Sequence, residues 1–225
     1  MAWTIRTSLL AVLTLASLLG AASDPALAQR QRGEPGRFDF YLLSLSWSPS
    51  FCETPAGSGS QEQCGVVRPF SFVVHGLWPQ YERGFPESCQ VPPPRLSRQI
   101  VDQMLDLMPG SKLIYHEWDK HGTCSGLDQR DYFDTIRKAR TAVKIPAQFE
   151  QPQRPLNVAP GEIVDAFVKA NQGLTPAGIV IDCDRRFLRE VRICMTRDLQ
   201  FRDCGTGAGR VCRTDSLLMP PVRGQ

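Results

Sequence analysis

The sequence predicts an α+β domain, with a central, mostly antiparallel sheet packed with helices and held by disulfides. Three observations lead there. Strand-like and helix-like segments are mixed along the chain without regular βαβ alternation. The last two strand-like segments are separated only by Asp184-Arg185-Arg186, which suits a hairpin. Eight cysteines, an even number, favour four disulfides in an exported chain.

Export is read from the N-terminus. Residues Leu9 to Leu19 form an apolar run preceded by Arg6 and followed by small residues ending Ala26-Leu27-Ala28. This is the pattern of a secretory signal peptide, residues 1–28, rather than an anchor, because the run is about half the ~20 residues that span a bilayer. Residues 29–225 then make one domain, with no membrane segment after signal cleavage, and the expected location is secreted or periplasmic. A monomer is expected.

Phe38 to Trp47 reads as a strand. Tyr41, Leu43, Leu45 and Trp47 share one face and Phe38, Phe40 and Leu42 the other, so the strand is apolar on both sides and central. Ser48-Pro49 ends it, and a loop with Gly57, Gly59 and two cysteines follows. A short strand, Phe70 to Val74, leads into His75-Gly76-Leu77-Trp78-Pro79, and Gln80 to Pro94 is too rich in Pro and Gly for regular structure. Arg95 to Met108 is helical by the spacing of Leu96, Ile100, Met104 and Leu107, and Pro109-Gly110 stops it. Helices are expected around His116 to Lys120, over Asp131 to Arg140 and over Gly161 to Asn171, with a connecting loop from Ile145 to Pro160. Gly178 to Cys183 and Phe187 to Thr196 are the hairpin strands.

The net charge of +3 is too small to argue for or against an anionic partner. The histidines say more. There are three, one at the end of a strand (His75) and two within His116-Glu117-Trp118-Asp119-Lys120-His121-Gly122-Thr123-Cys124. A zinc site of the H-E-x-x-H kind needs histidines four apart. Here the second is five on, about 140° around the helix, and the intervening Lys120 would repel a metal. The cysteines form no C-x-x-C pair, so no metal ligation is expected from them either. No G-x-S-x-G elbow is present, and Ser125 has no recognisable oxyanion hole, so covalent hydrolysis is disfavoured.

Imidazoles with a Lys and a Glu suit metal-free cleavage of a phosphodiester that brings its own nucleophile, the 2′-hydroxyl of RNA. One imidazole takes the hydroxyl proton and another protonates the departing 5′-oxygen, each worth roughly 10²–10⁴-fold. An ammonium stabilises the charge that builds on phosphorus.

The segments Phe72 to Pro79 and His116 to Cys124 resemble the two active-site segments of the ribonuclease T2 family. Phe38 to Pro49 is similar to its first strand, and the spacing of Cys183, Cys194, Cys204 and Cys212 is similar as well. The resemblance implies an endoribonuclease acting on single-stranded RNA with low base specificity and no cofactor. It would proceed through 2′,3′-cyclic phosphates to 3′-phosphate ends. His121 would be the general base, His75 the general acid, His116 the phosphate-holding histidine, and Glu117 and Lys120 the transition-state stabilisers. The resemblance also implies the pairs Cys89–Cys124, Cys183–Cys212 and Cys194–Cys204, leaving Cys52 with Cys64. Trp78 and Tyr81 are the candidate substrate-binding rings, with core packing an equal alternative for Trp78. Trp118 reads as core and Asp119 as a solvated face. The rival reading is an exported RNA-binding protein whose nuclease activity is incidental.

Overall fold

The computed structural model describes Met1 and residues 33–65, 69–205 and 212–222. The rest of the expected signal peptide lies outside the described residues. Beyond Met1, these residues belong to one compact unit, Arg32–Gln225. In chain order its elements are β1 (Phe40–Trp47), three short helices α1 (Ser48–Cys52), α2 (Pro55–Ser58) and α3 (Gln61–Cys64), β2 (Phe72–Gln80), α4 (Arg98–Met104), α5 (Ser111–Lys120), α6 (Gln129–Ala142), β3 (Leu156–Val158), α7 (Pro160–Ala170), β4 (Ile179–Cys183), β5 (Leu188–Met195) and β6 (Leu217–Met219).

The fold is α+β. A four-stranded sheet has the order β2-β1-β5-β4, and β3 pairs with β6 in a small second sheet. The pairings between these strands are antiparallel, and an isolated parallel bridge joins Phe187 to Leu218. β1 is central, as its two apolar faces require. Tyr41, Leu43, Leu45 and Trp47 enter the main core beneath the helices, while Phe40 and Leu42 join Cys194 and Cys204 on the opposite face. Phe38, just before the strand, enters the main core instead. The β4–β5 hairpin forms because Asp184 Oδ1 accepts the amides of Arg186 and Phe187, both at 2.7 Å, within the turn.

Several boundaries differ from the sequence expectations. β2 does not stop at Val74 but runs through His75 to Gln80. It is the edge strand of its sheet, so Pro79 can sit in it without removing a ladder hydrogen bond. The helix expected over residues 95–108 is confined to Arg98–Met104. The Leu107 carbonyl accepts the Val74 amide at 2.9 Å instead of continuing the helical ladder. The segment 48–64 folds into α1–α3 around Cys52–Cys64. The connection 145–160 contains β3, which finds its partner only at β6 near the C-terminus. α5 starts at Ser111, well before the expected His116. α6 starts after Asp128, whose carboxylate accepts the Asp131 amide at 2.9 Å, a standard N-cap.

All four disulfides are formed as the resemblance implied, Cys52–Cys64, Cys89–Cys124, Cys183–Cys212 and Cys194–Cys204. Among the described residues no helix is long and apolar enough to cross a membrane.

Candidate active site

A β-bulge aims the first histidine. Opposite β1, the register passes from Ser44↔Gly76 to Leu45↔Val74, so His75 is the extra residue on β2. A bulge shifts the strand's alternation by one. Val74 and Leu77 therefore both face the main core, while Trp78 packs with Phe40 and Leu42 on the opposite face. His75 and Trp78, three residues apart, meet there with ring centroids 5.2 Å apart in an edge-to-face arrangement.

The second cluster comes from α5. Ile114 and Trp118, four apart, bury one stripe of this helix in the main core, and the Trp118 indole N–H donates to the Pro94 carbonyl at 2.8 Å. Asp119 is exposed. The helix brings buried Glu117 against β2, and His121 follows as its C-cap. The Trp78 indole N–H donates to Glu117 Oε2 at 2.6 Å, and the same ring stacks on His121 at 5.2 Å between centroids. The other carboxylate oxygen, Glu117 Oε1, is 3.6 Å from His75 Nε2. His75, Glu117, Trp78 and His121 thus form one contiguous group. His116 is exposed on α5, within electrostatic reach of His75 and Lys120. Lys120 Nζ lies 3.8 Å from Glu87 Oε2 and 6.0 Å from the centre of the Phe85 ring.

The loop before α4 is docked on this cluster. Cys89–Cys124 and a hydrogen bond from the Ser88 amide to the Lys120 carbonyl, 2.8 Å, tie it to the end of α5. Phe85 is thereby held 6.3 Å from the His121 ring while remaining 48% exposed. Tyr81 packs at the edge of the main core instead.

His75 and His121 sit in opposite electrostatic settings. Around His75, burial opposes protonation. The hydrogen bond to Glu190 and the charges of Glu190 and Glu117 outweigh both burial and Arg192, so its pKa is raised. Around His121, burial and the positive groups Lys120, His116 and His75 all act the same way, pushing it down to about 3. His121 Nδ1 is buried, with no hydrogen-bond partner among the described residues. The same neighbours, burial and then Lys120, lower His116. Burial lifts the Glu117 carboxyl to about 7 against the pull of His75, Trp78 and Lys120.

The sequence reading missed Phe85, Glu190 and Arg192. Glu190 Oε1 is 2.5 Å from His75 Nδ1, and the Arg192 guanidinium reaches Glu190 Oε2 at 2.7 Å. A signal for the last two was present: Glu190-Val191-Arg192-Ile193 alternates charge with apolar residues in a strand that proves central. Charged residues on a sheet face that lies partly covered require partners. Among the described residues no three His, Cys, Asp or Glu side chains are gathered so as to hold a metal ion.

Comparison with known proteins decides the family. The Ribonuclease T2 family model matches residues 38–204. The chain belongs to the ribonuclease T2 family. A T2-type ribonuclease of this kind is also what the relatives indicate. The chain is 37% identical over 188 residues to a ribonuclease of Aeromonas hydrophila, covering 80% of this chain and 83% of that protein. It is 29% identical over 173 residues to ribonuclease I of Escherichia coli strain K12, covering 60% of this chain and 64% of the relative. Among solved T2-like folds, RNase NT in complex with 5′-AMP aligns with a TM-score of 0.64 at 25% identity, covering 82% of this chain and 98% of the other.

Proposed function

We propose that this T2 ribonuclease cleaves single-stranded RNA endonucleolytically by metal-free transesterification, with His121 as base and His75 as acid. The observation that carries this reading is the opposite setting of the two imidazoles on either side of Trp78. A group that must arrive protonated benefits from flanking carboxylates, and one that must arrive neutral benefits from burial beside cations. His75 has the first environment and His121 the second.

In the first step a ring nitrogen of His121 accepts the proton of the 2′-hydroxyl. Nε2 is the candidate, because Nδ1 is enclosed. The 2′-oxygen forms a bond to phosphorus, the P–O5′ bond breaks, and His75 Nε2 gives its proton to the departing oxygen. The products are a 2′,3′-cyclic phosphate and a 5′-hydroxyl. In the second step the roles reverse: His75 takes a proton from water, the oxygen of that water attacks phosphorus, the P–O2′ bond breaks and His121 protonates O2′, leaving a 3′-phosphate. His116 and Lys120 hold the anionic phosphate. Glu117, lifted by burial to about 7, presents a neutral or shared-proton carboxyl beside His75 and stabilises the pentacoordinate phosphorus.

Trp78 borders the nucleotide in this reading, and Phe85 offers an open ring face beside His121. Stacking on an aromatic face is tolerant of base identity, at ~1–3 kcal/mol per base, which supports low base specificity. The four disulfides support export to an oxidising compartment, secreted or periplasmic. The protein is proposed to act as a monomer without a cofactor. A panel of dinucleoside monophosphates tests the specificity: cleavage rates within about tenfold of one another are expected, and cleavage of only one base step would overturn it.

A further inference from the structure

We propose that Glu190 is a positioning residue for this reaction, holding His75 by its Nδ1–H so that Nε2–H faces the scissile phosphate. The proposal rests on the assignment of His75 as the acid and adds the group that makes it one.

The geometry is that of a built clamp. The carboxylate of Glu190, 6% exposed, accepts from His75 Nδ1 at 2.5 Å on Oε1. The same oxygen accepts from the Ser46 hydroxyl at 3.2 Å, while Oε2 accepts from Arg192 Nε at 2.8 Å and lies 2.7 Å from its Nη2. Arg192 is fixed in turn by Asp182 Oδ2 at 3.0 Å and lies over the Trp78 ring at 5.5 Å. All of these groups come from one sheet face. The register sets Ser46 opposite Glu190 on β1 and β5, and Asp182 opposite Glu190 on β4 and β5. The bulge delivers His75 to that face from β2.

Such a chain of charges in a sheet is expensive to bury, and apolar side chains would stabilise the fold as well or better. It has a use if it defines the tautomer and direction of an imidazole. A carboxylate on one ring nitrogen fixes the proton on the other and orients the ring. The two carboxylates beside His75 are not equivalent. Glu190 is held down to about 2, since His75 and Arg192 overcome the cost of burial. It stays ionised whenever His75 works. Glu117 rises instead, which leaves Nε2 free to release its proton.

The other charged or titratable groups facing His75 are Arg192 on β5 and, from α5 and its C-cap, Glu117, His116 and His121. Glu62 and Lys112 line the cavity that His75 also lines. Removing the Glu190 charge leaves the nearby cations only partly opposed, so His75 should lose its proton at lower pH.

The test is Glu190→Gln, which keeps the shape and an acceptor oxygen. Expected are a kcat lower by about 10–100-fold, KM changed by less than about threefold, and the alkaline limb of the pH–rate profile moved down by about one pH unit. Glu190→Asp should restore part of the limb. A purely structural role would lower the melting temperature and leave the limb in place, and that result would overturn the proposal. If Glu190→Gln does not fold, the native protein decides through ¹⁵N NMR of His75. In the neutral ring, above the pH at which His75 gives up its charge, a protonated, slowly exchanging Nδ1 is expected, and a neutral ring protonated on Nε2 instead overturns the clamp. His75→Ala separates the two readings. If it keeps activity, the acid assignment fails and this proposal with it. If it is inactive while Glu190→Gln has a normal alkaline limb, only this proposal fails.

Discussion

Gly76 and Glu117 are in contact across two elements, such that a Cβ on Gly76 would lie 2.0 Å from Glu117 Oε2 and 2.3 Å from Trp78 Nε1. The residue after His75 must therefore lack a side chain, because the carboxylate and the indole already fill that space. Gly76→Ala should force Glu117 and Trp78 apart. Overpacking of this kind costs ~1–3 kcal/mol, and an ångström-scale displacement at a reacting centre costs about 10²-fold in rate. Thermal melts and kcat on the same preparation check this, and wild-type kcat in Gly76→Ala would contradict the packing argument.

The two histidines should titrate far apart. The raised pKa keeps His75 charged above the usual imidazole midpoint of about 6.5, while His121 is neutral at every pH above about 3. The proposed mechanism needs the first protonated and the second not. Activity should therefore rise with pH through an acid limb set by His121 and fall through an alkaline limb set by His75. Histidine NMR titration together with kcat/KM from pH 3 to 9 measures both. An His121 that protonates near pH 6.5 while His75 is already neutral would reverse the assigned roles.

Trp78 acts on Glu117 through one N–H. Trp78→Phe keeps a ring on His121 but removes the donor that meets Glu117 Oε2 at 2.6 Å. Loss of a buried partner of this kind is worth ~1–3 kcal/mol, so kcat should fall by about 5–100-fold with KM nearly constant. A change confined to KM would instead make the ring a base-binding surface.

Cys89–Cys124 closes a ring of sequence separation 35 and anchors the preceding segment, with Phe85 and Glu87, beside the end of α5. The chain-entropy relation gives about 4 kcal/mol for a loop of this size. The double substitution Cys89→Ala/Cys124→Ala should lose roughly that in urea unfolding and also lower kcat, as the loop loosens beside Lys120 and His121. Lost stability with full activity would show that the loop takes no part in organising the site.

Much of this was legible before any coordinates. The two-faced apolar pattern of Phe40 to Trp47 marks a central strand, and His75, His116, Glu117, Lys120 and His121 stand out as residue types suited to phosphoryl chemistry. What could not be read depends on long-range pairing. The bulge beside His75 exists only once β2 is laid against β1, and it overrides the strict alternation that a single strand suggests. Residues 48–64 have no helical period, and α1–α3 are turns folded around a disulfide. β3 is three residues whose partner lies near the C-terminus. Glu190 and Arg192 carry a visible signal, charges alternating with Val191 and Ile193, but nothing in one strand says that the partner is a histidine 115 positions away.

In the proposed mechanism this ribonuclease breaks RNA with its own imidazoles and leaves the phosphate on the 3′ side. The most direct measurement is ³¹P NMR of the products formed from a dinucleoside monophosphate by protein kept in excess EDTA. Expected is a 2′,3′-cyclic phosphate that appears first and converts more slowly to a 3′-phosphate, with a free 5′-hydroxyl on the leaving nucleoside. A 5′-phosphate product, or no cleavage until a divalent metal is restored, would contradict it.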